Sequence, residues 1–594
     1  MAKRRVKALQ VSVICGLMAF QFPAFSNDEN TQQSVTETQQ PQVVEVKESI
    51  TVTPTQSMAK ITASLPADVK PVFATQLAKL YADKQMKLLW QDETAISQFQ
   101  QQIAELSLSG VQPQFSEWLS MLENNQLSEL GRDVILSDAM LGYLQYLSSV
   151  EVSGQYWLYT NRPYKIIAPT AAQMKPWLDA VESQRLTEWV KAQAPNHPLY
   201  QPMRKEMLKL LALPEDELEI TGTKALKPGQ SSDDVLVLRK ILQREGLLGE
   251  SATEDVVGTE APETLAQVAE QASEQPTEVL AVEPAKSASV ASKVYDQELV
   301  DAVKKFQLQY GLEADGVIGK GTRVWLNMKP TQKAGLMALN IQRLRIIPAS
   351  NGTGILVNIP GYSLDFYLND EVILDSKVIV GRADRKTPIM SSALNNVVIN
   401  PPWSVPTNMA RKDIAPRGKQ DPSYFSRKGY TVYSGWGADS YEINPYSIDW
   451  DNITPANFPY RIRQAPGPTN SLGRYKFNMP SSDAIYLHDT PNHSLFNRNA
   501  RAISSGCVRV NKASELASIL LGDAGWEQKR IDGALKEGST RYVNIPDRIP
   551  VYLYYQTAWV DKDQQPQYRA DIYQYDNSID NADKYLPLLK KIML

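Results

Sequence analysis

Ile485-Tyr486-Leu487-His488-Asp489-Thr490 and Ser504-Ser505-Gly506-Cys507-Val508-Arg509 decide how this 594-residue chain is read. The chain has two cysteines. Cys15 lies in an apolar N-terminal stretch that reads as a removable leader, so Cys507 is the one thiol expected after export. A lone thiol is an intermolecular link, a buried bystander or a reactive group. A free cysteine has a pKa of about 8.5 and needs a base or positive surroundings to ionise near neutrality. The chain has three histidines, His197, His488 and His493. His488 ends a predicted strand, nineteen residues before Cys507, and a loop of that length returns the chain to the same face. Cys507 is expected at a strand-loop-helix junction, where the positive end of the helix favours a thiolate. Gly506 lets the backbone approach a substrate carbonyl, and the amides of Cys507 and its neighbours suit an oxyanion. Acyl transfer, with Cys507 as nucleophile and His488 as base, is the chemistry these residues suggest.

Outward from these runs the periodicity is that of strands. Ile355, Val357 and Ile359 alternate with other residues, as do Leu364, Phe366 and Leu368. Further strands are expected at 372–374, 377–380, 397–399, near Tyr475 and at 551–555. Residues 345–560 therefore form a β-rich domain. Within it, 404–460 is aromatic, broken by Pro and Gly and without a period, which predicts a large capping loop. A C-terminal extension, 561–594, follows.

The N-terminal half is helical. Phe73, Leu77, Leu80 and Tyr81 recur at helix spacing, and Trp90, Trp118, Trp157, Trp177 and Trp189 supply bulk for a core over 61–225. Between 226 and 330 three helices are expected, carrying Val235 and Leu238, Leu299 and Phe306, and a third from Thr322. The insertion 251–294 holds eight acidic and two basic residues and no aromatic one, so it cannot bury a core and is expected to be disordered. At the start, Lys3, Arg4, Arg5 and Lys7 precede an apolar run to Phe22 and the small residues of Ala24-Phe25-Ser26. That pattern predicts a signal peptide over 1–26, an uncleaved inner-membrane anchor being the alternative, with a flexible tether over 27–60. The net charge of −4 argues against a general nucleic-acid binder. The fold class is multidomain α+β.

His488-Asp489-Thr490 with Ser504-Ser505-Gly506-Cys507-Val508-Arg509 resembles the motif of the L,D-transpeptidase catalytic (YkuD) domain. Gly381 and Thr387-Pro388 resemble that family's Gly…Thr-Pro turn. Gln464-Ala465-Pro466-Gly467 and Asn470-Ser471-Leu472-Gly473 resemble the stretch before its penultimate strand. The segment 226–330, with Phe306-Gln307 and Asp315-Gly316-Val317-Ile318-Gly319, resembles the three-helix peptidoglycan-binding module. The order of domains is similar to the large Gram-negative L,D-transpeptidases of the YcbB type.

This resemblance implies a periplasmic enzyme whose Cys507 thiolate attacks the third residue of a tetrapeptide stem, releases D-Ala and passes the acyl group to a second stem. It implies a carbapenem target and no cofactor or metal. The partners would be donor and acceptor peptidoglycan stems, with the helical domain open to other cell-wall synthesis proteins. The family's glycine after the histidine is Asp489 here; its main-chain carbonyl would orient the imidazole. Ser504 and Ser505 would shape the turn. Arg509 would bind a substrate carboxylate or hold the cysteine loop. Tyr486, Trp403 and Trp436 are the candidate substrate contacts, the two tryptophans within a cap that also holds Tyr424, Phe425 and Tyr430 and excludes water.

Other readings fit less well. A papain-like protease places its cysteine before its histidine. Ser57-Met58-Ala59-Lys60 fits a Ser-x-x-Lys pattern, but no Lys-Thr-Gly partner exists. One mature cysteine and three histidines do not make a usual zinc set. A non-catalytic wall-binding scaffold is the alternative of a different class. Within the enzyme class, cross-linking, protein attachment and hydrolysis remain open.

Overall fold

The computed structural model describes residues 51–160, 162–249, 292–350, 352–454 and 456–594. The expected signal peptide, most of the tether and nearly all of the acidic insertion lie outside the described residues.

The end of the segment expected to be a flexible tether is helical. Thr53 and Gln56 form a reciprocal capping box around Pro54, and the helix Pro54–Ser64 buries Ser57 and Ile61. Seven further helices follow: Ala74–Asp83, Glu93–Leu108, Gln114–Leu122, Glu129–Trp157, Ala171–Glu182, Leu186–Ala192 and Tyr200–Ala212. The 29-residue helix Glu129–Trp157 is buried on all sides over Val134–Tyr146, which makes it the core of this region rather than a surface helix. Its Asp138 carboxylate accepts hydrogen bonds from the Val72 and Phe73 amides, both at 2.8 Å, and from the Trp118 indole at 2.7 Å. Burial therefore comes with full pairing, as buried carboxylates require.

Among the described residues the next three helices are Asp234–Arg244, Gln297–Gln309 and Lys320–Leu326. Gln307 explains the glycine turn read in the sequence. Its amide donates to the Asp315 carboxylate and the Val317 carbonyl, and its oxygen accepts from the Gly316 amide at 2.8 Å. Gly316 stands at φ +73°, which favours glycine.

The helix Pro330–Arg343, which no sequence pattern had singled out, is buried along its whole length. Its polar side chains reach in different directions. Lys333 pairs with Glu245 at 2.6 Å, Gln342 meets Tyr146 and Glu105, and Arg343 pairs with Asp576 at 2.7 Å. One helix thus joins the helical region, the three-helix module and the C-terminal extension.

The catalytic region is a closed sheet. Its strands are β1 (Gly354–Asn358), β2 (Ser363–Leu368), β3 (Glu371–Gly381), β4 (Met390–Ile399), β5 (Trp403–Ser404), β6 (Tyr430–Tyr433), β7 (Glu442–Ile443), β8 (Arg461–Gln464), β9 (Tyr475–Asn478), β10 (Leu487–His488), β11 (Ala502–Ser504), β12 (Val508–Val510) and β13 (Arg541–Tyr554). The main sheet runs β11-β3-β12-β10-β9-β4-β13-β1-β2, and β2 also pairs with β3. Eight strands therefore close on themselves, with β11 attached to the end of β3. Val397, Phe477, Leu487 and Val508 are buried in its core; the helix Ala513–Asp523 packs against β13, β4 and β9, and Gln528–Glu537 packs on that helix.

The expected capping loop is a small subdomain. Strands β5, β8, β6 and β7 form their own sheet over a separate core of Trp403, Val405, Phe425, Val432, Trp450, Phe458 and Ile462. Strands of two to four residues are too short to show a period, so the sequence read as a loop. The C-terminal extension also folds back. It adds the hairpin of β14 (Ala558–Val560) and β15 (Pro566–Tyr568), then packs the helix Leu586–Met593 against Glu93–Leu108. No helix among the described residues is long and apolar enough to cross a membrane.

Candidate active site

Strand register brings the two sequence runs together. β10 and β12 are parallel neighbours, with Leu487 opposite Val508 and His488 opposite Arg509. Leu487 and Val508 are fully buried in the core, so alternation puts Tyr486, His488, Cys507 and Arg509 on the opposite, outer face. On the other side, His488 is paired with Lys476 of β9. The outer face thus carries the row Lys476, His488, Arg509, with Tyr486 and Cys507 one step along.

Cys507 is half-buried and free. Its thiol points at the Ala484 carbonyl, 3.8 Å away. Burial pushes the thiol pKa up, and Tyr486, Lys476 and Arg509 oppose that. The imidazole of His488 is buried and pushed down to about 3, first by burial and then by the Arg509 and Lys476 charges. The resting pair is therefore a neutral thiol and a neutral imidazole.

The tautomer follows from one bond. His488 Nδ1 lies 2.5 Å from the Asp489 main-chain carbonyl, which can only accept. Nδ1 carries the proton, and the lone pair stays on Nε2, where a base needs it. The Asp489 carboxylate has a separate task. It is buried, accepts the Arg474 amide at 2.8 Å, and faces His493 Nε2 at 3.1 Å. It braces the turn at Gly473, where a Cβ would lie 2.3 Å from Asp489 Oδ2 and 2.6 Å from the Thr490 nitrogen.

The nucleophile loop is tied down from several sides. Gly506 stands at φ +121°, open only to glycine. Ser504 Oγ donates to the Cys507 carbonyl at 2.6 Å and accepts the Gly506 amide at 3.1 Å. Thr387 donates to the Gly506 carbonyl at 2.7 Å and accepts from the Gly381 amide at 2.8 Å, which is the physical content of the Gly…Thr-Pro turn. Tyr573 of the C-terminal extension bonds both the Gly381 carbonyl and the Thr387 amide. Ser505 accepts from Arg385, whose guanidinium makes a bidentate pair with Asp413 of the cap. The Val508 amide bonds the Tyr486 carbonyl. Among the described residues no acceptor is paired with the Cys507 amide, which leaves it available to an oxyanion.

One local expectation fails. Cys507 is followed by β12, and the helix begins only at Ala513. The helix end is too far along the chain to stabilise a thiolate at Cys507, because that effect fades within one turn. The cap contributes unevenly. Trp403 is buried in its core, and Tyr486 packs against that core beside His488, with ring centroids 5.7 Å apart. Trp436 is 59% exposed and outside it. Among the described residues no cluster of three or more His, Cys, Asp or Glu suits a metal.

Three segments match known family models. Residues 352–543 match the L,D-transpeptidase catalytic domain, 75–207 the model described as "Scaffold domain", and 286–326 that described as "Putative peptidoglycan binding domain". A Haemophilus influenzae protein named "Putative L,D-transpeptidase" is 33% identical over 529 residues, spanning 89% of this chain and 83% of that protein. This chain belongs to the L,D-transpeptidase family. Peptidoglycan is accordingly the partner that its catalytic and binding domains support. Sequence reasoning did not single out Lys476, the β9 residue beside His488. Its position beside His488 depends on a cross-strand pairing that no local motif records.

Proposed function

We propose that the chain is an exported enzyme that forms 3–3 cross-links between peptidoglycan stems through a thioester on Cys507. The observation that carries this reading is His488 fixed through Nδ1 on the Asp489 carbonyl, on the same outer face as Cys507. In the first step His488 Nε2 takes the thiol proton as sulfur attacks the carbonyl carbon of the third stem residue. The Cys507 amide faces the developing oxyanion. The carbon–nitrogen bond to D-Ala breaks, His488 returns the proton to the leaving amine, and the thioester remains. An amine of a second stem then attacks the thioester and gives its proton to His488. The carbon–sulfur bond breaks, an amide forms and the thiol is restored. The cap, anchored to the nucleophile loop by Arg385 and Asp413, limits the water that competes with the amine.

The basic and apolar leader pattern of residues 3–26 supports export, and peptidoglycan as partner supports a periplasmic site of reaction. The test is incubation of the protein with disaccharide-tetrapeptide, followed by mass spectrometry. The expected product is a dimer lacking one D-Ala. Exclusive release of monomeric tripeptide would replace this reading with a carboxypeptidase.

A further inference from the structure

Two cations flank the catalytic histidine without a counter-ion. Lys476 and Arg509 are each paired in register with His488, one on β9 and one on β12, so both project from the outer face. Adjacent strands lie roughly 4.8 Å apart, which sets the two cations about two strand steps from each other across His488. Among the described residues no carboxylate forms an ion pair with either, and the one group whose charge would favour both cations is Cys507 once it is ionised. Arg509 Nε is buried with no acceptor. The Lys476 ammonium lies 4.1 Å from the centre of the Tyr486 ring, which holds it over the nucleophile's row rather than out in solvent. Of the buried Lys and Arg side chains among the described residues, Lys333 pairs with Glu245 and Arg343 with Asp576, while Arg501 donates to the Val378, Arg498 and Tyr362 carbonyls. Leaving two charges half-buried and unpaired is costly, and a site that retains them has use for an anion.

We propose that Lys476 and Arg509 form a carboxylate subsite that seats the donor stem beside Cys507. The proposal rests on the stem-peptide reading above. Its ligand class is a carboxylate flanking the scissile amide. Two such groups exist on a stem: the terminal carboxylate of the leaving residue and the side-chain carboxylate of the third residue. Either would complete the charge balance of the site and fix the carbonyl over the thiol. Lys476 would then be a specificity residue. Its charge selects a donor by the position of that carboxylate.

The test measures binding, so it does not depend on turnover. Full-length protein carrying Cys507→Ala is titrated by calorimetry with the free tetrapeptide, the same peptide amidated at its C-terminus, and the peptide amidated on the third residue's side chain. One amidation is expected to weaken binding roughly tenfold, the scale of one charge-assisted hydrogen bond. Adding Lys476→Met should shrink that discrimination to about twofold or less, and Lys476→Arg should keep most of it. Which amide binds weakly identifies the carboxylate. Equal binding of all three peptides, no binding of any, or discrimination that survives Lys476→Met overturns the proposal. A cation that only tunes the thiol would leave this discrimination intact and alter the pH profile of iodoacetamide alkylation in the protein that retains Cys507. Failure of wild-type protein to yield cross-linked dimer is a separate result and bears on the function, not on this subsite.

Discussion

Gly473→Ala probes the site through a residue that touches neither substrate nor thiol. Gly473 stands at φ +65°, where alanine costs roughly 1–2 kcal/mol. The added Cβ would lie 2.3 Å from Asp489 Oδ2, 2.5 Å from its Cγ and 2.6 Å from the Thr490 nitrogen. Ordinary contact begins at 3.4 Å, so the Asp489–Thr490 backbone must recede by about 1 Å, since interiors have no slack to absorb it. The Asp489 carbonyl that holds His488 Nδ1 at 2.5 Å moves with it. A misplacement of about 1 Å at a catalytic group costs on the order of 100-fold in rate, or about 2.7 kcal/mol of barrier. The assay is the rate of acyl-enzyme formation on Cys507 from disaccharide-tetrapeptide, followed by intact mass, alongside thermal melting. Gly522→Ala is the control, because a Cβ there meets nothing. Gly473→Ala protein that remains folded and acylates within about twofold of wild type would refute the claim that the Asp489 carbonyl aims the histidine.

Other perturbations test separate parts of the account. Gly506→Ala has room, its nearest neighbour being Ile485 Cδ1 at 3.5 Å, so its cost is conformational, roughly 1–3 kcal/mol at φ +121°. Acylation should fall more than tenfold with a modest loss of melting temperature, and unchanged acylation contradicts the loop geometry. With His488 pushed down to about 3 and the thiol pushed up, both stay neutral across neutral pH, so the acylation rate should be flat from pH 5 to 8. A tenfold fall between pH 7 and pH 5 would show His488 titrating there instead. Arg343→Met strands the Asp576 carboxylate in the interior and should cost about 3–5 kcal/mol in denaturant unfolding; a loss under 1 kcal/mol would show that the extension is held by packing alone.

Legibility followed the range of the interactions. The helix spacing of Phe73, Leu77 and Leu80 survives in the fold because one buried face imposes the period, whereas the strand holding Ile355 and Val357 is buried on both faces and was legible from its β-branched run. Cys507 and His488 stood out in the sequence because few thiols and imidazoles compete for such roles, and the β10–β12 register brings their strands side by side. Lys476 was not, because only the β9–β10 register brings it beside His488. Nor was the brace made by the Asp489 carboxylate, which depends on the tight turn at Gly473. The helix Pro330–Arg343 is buried on every side, so it lacks the apolar stripe that marks a surface helix. The cap hides its strands in segments of two to four residues. Tyr573, 66 positions beyond Cys507, bonds Gly381 and Thr387, the residues that hold the nucleophile loop, through contacts that only tertiary structure creates.

The central claim is a covalent acyl-enzyme on Cys507. Full-length protein is mixed with disaccharide-tetrapeptide, quenched in acid within seconds, and analysed by intact mass and peptide mapping. The account predicts an adduct of the disaccharide-tripeptide acyl group on the peptide containing Cys507, and none with Cys507→Ala. An adduct on another residue, or product formation retained by Cys507→Ala, would contradict it.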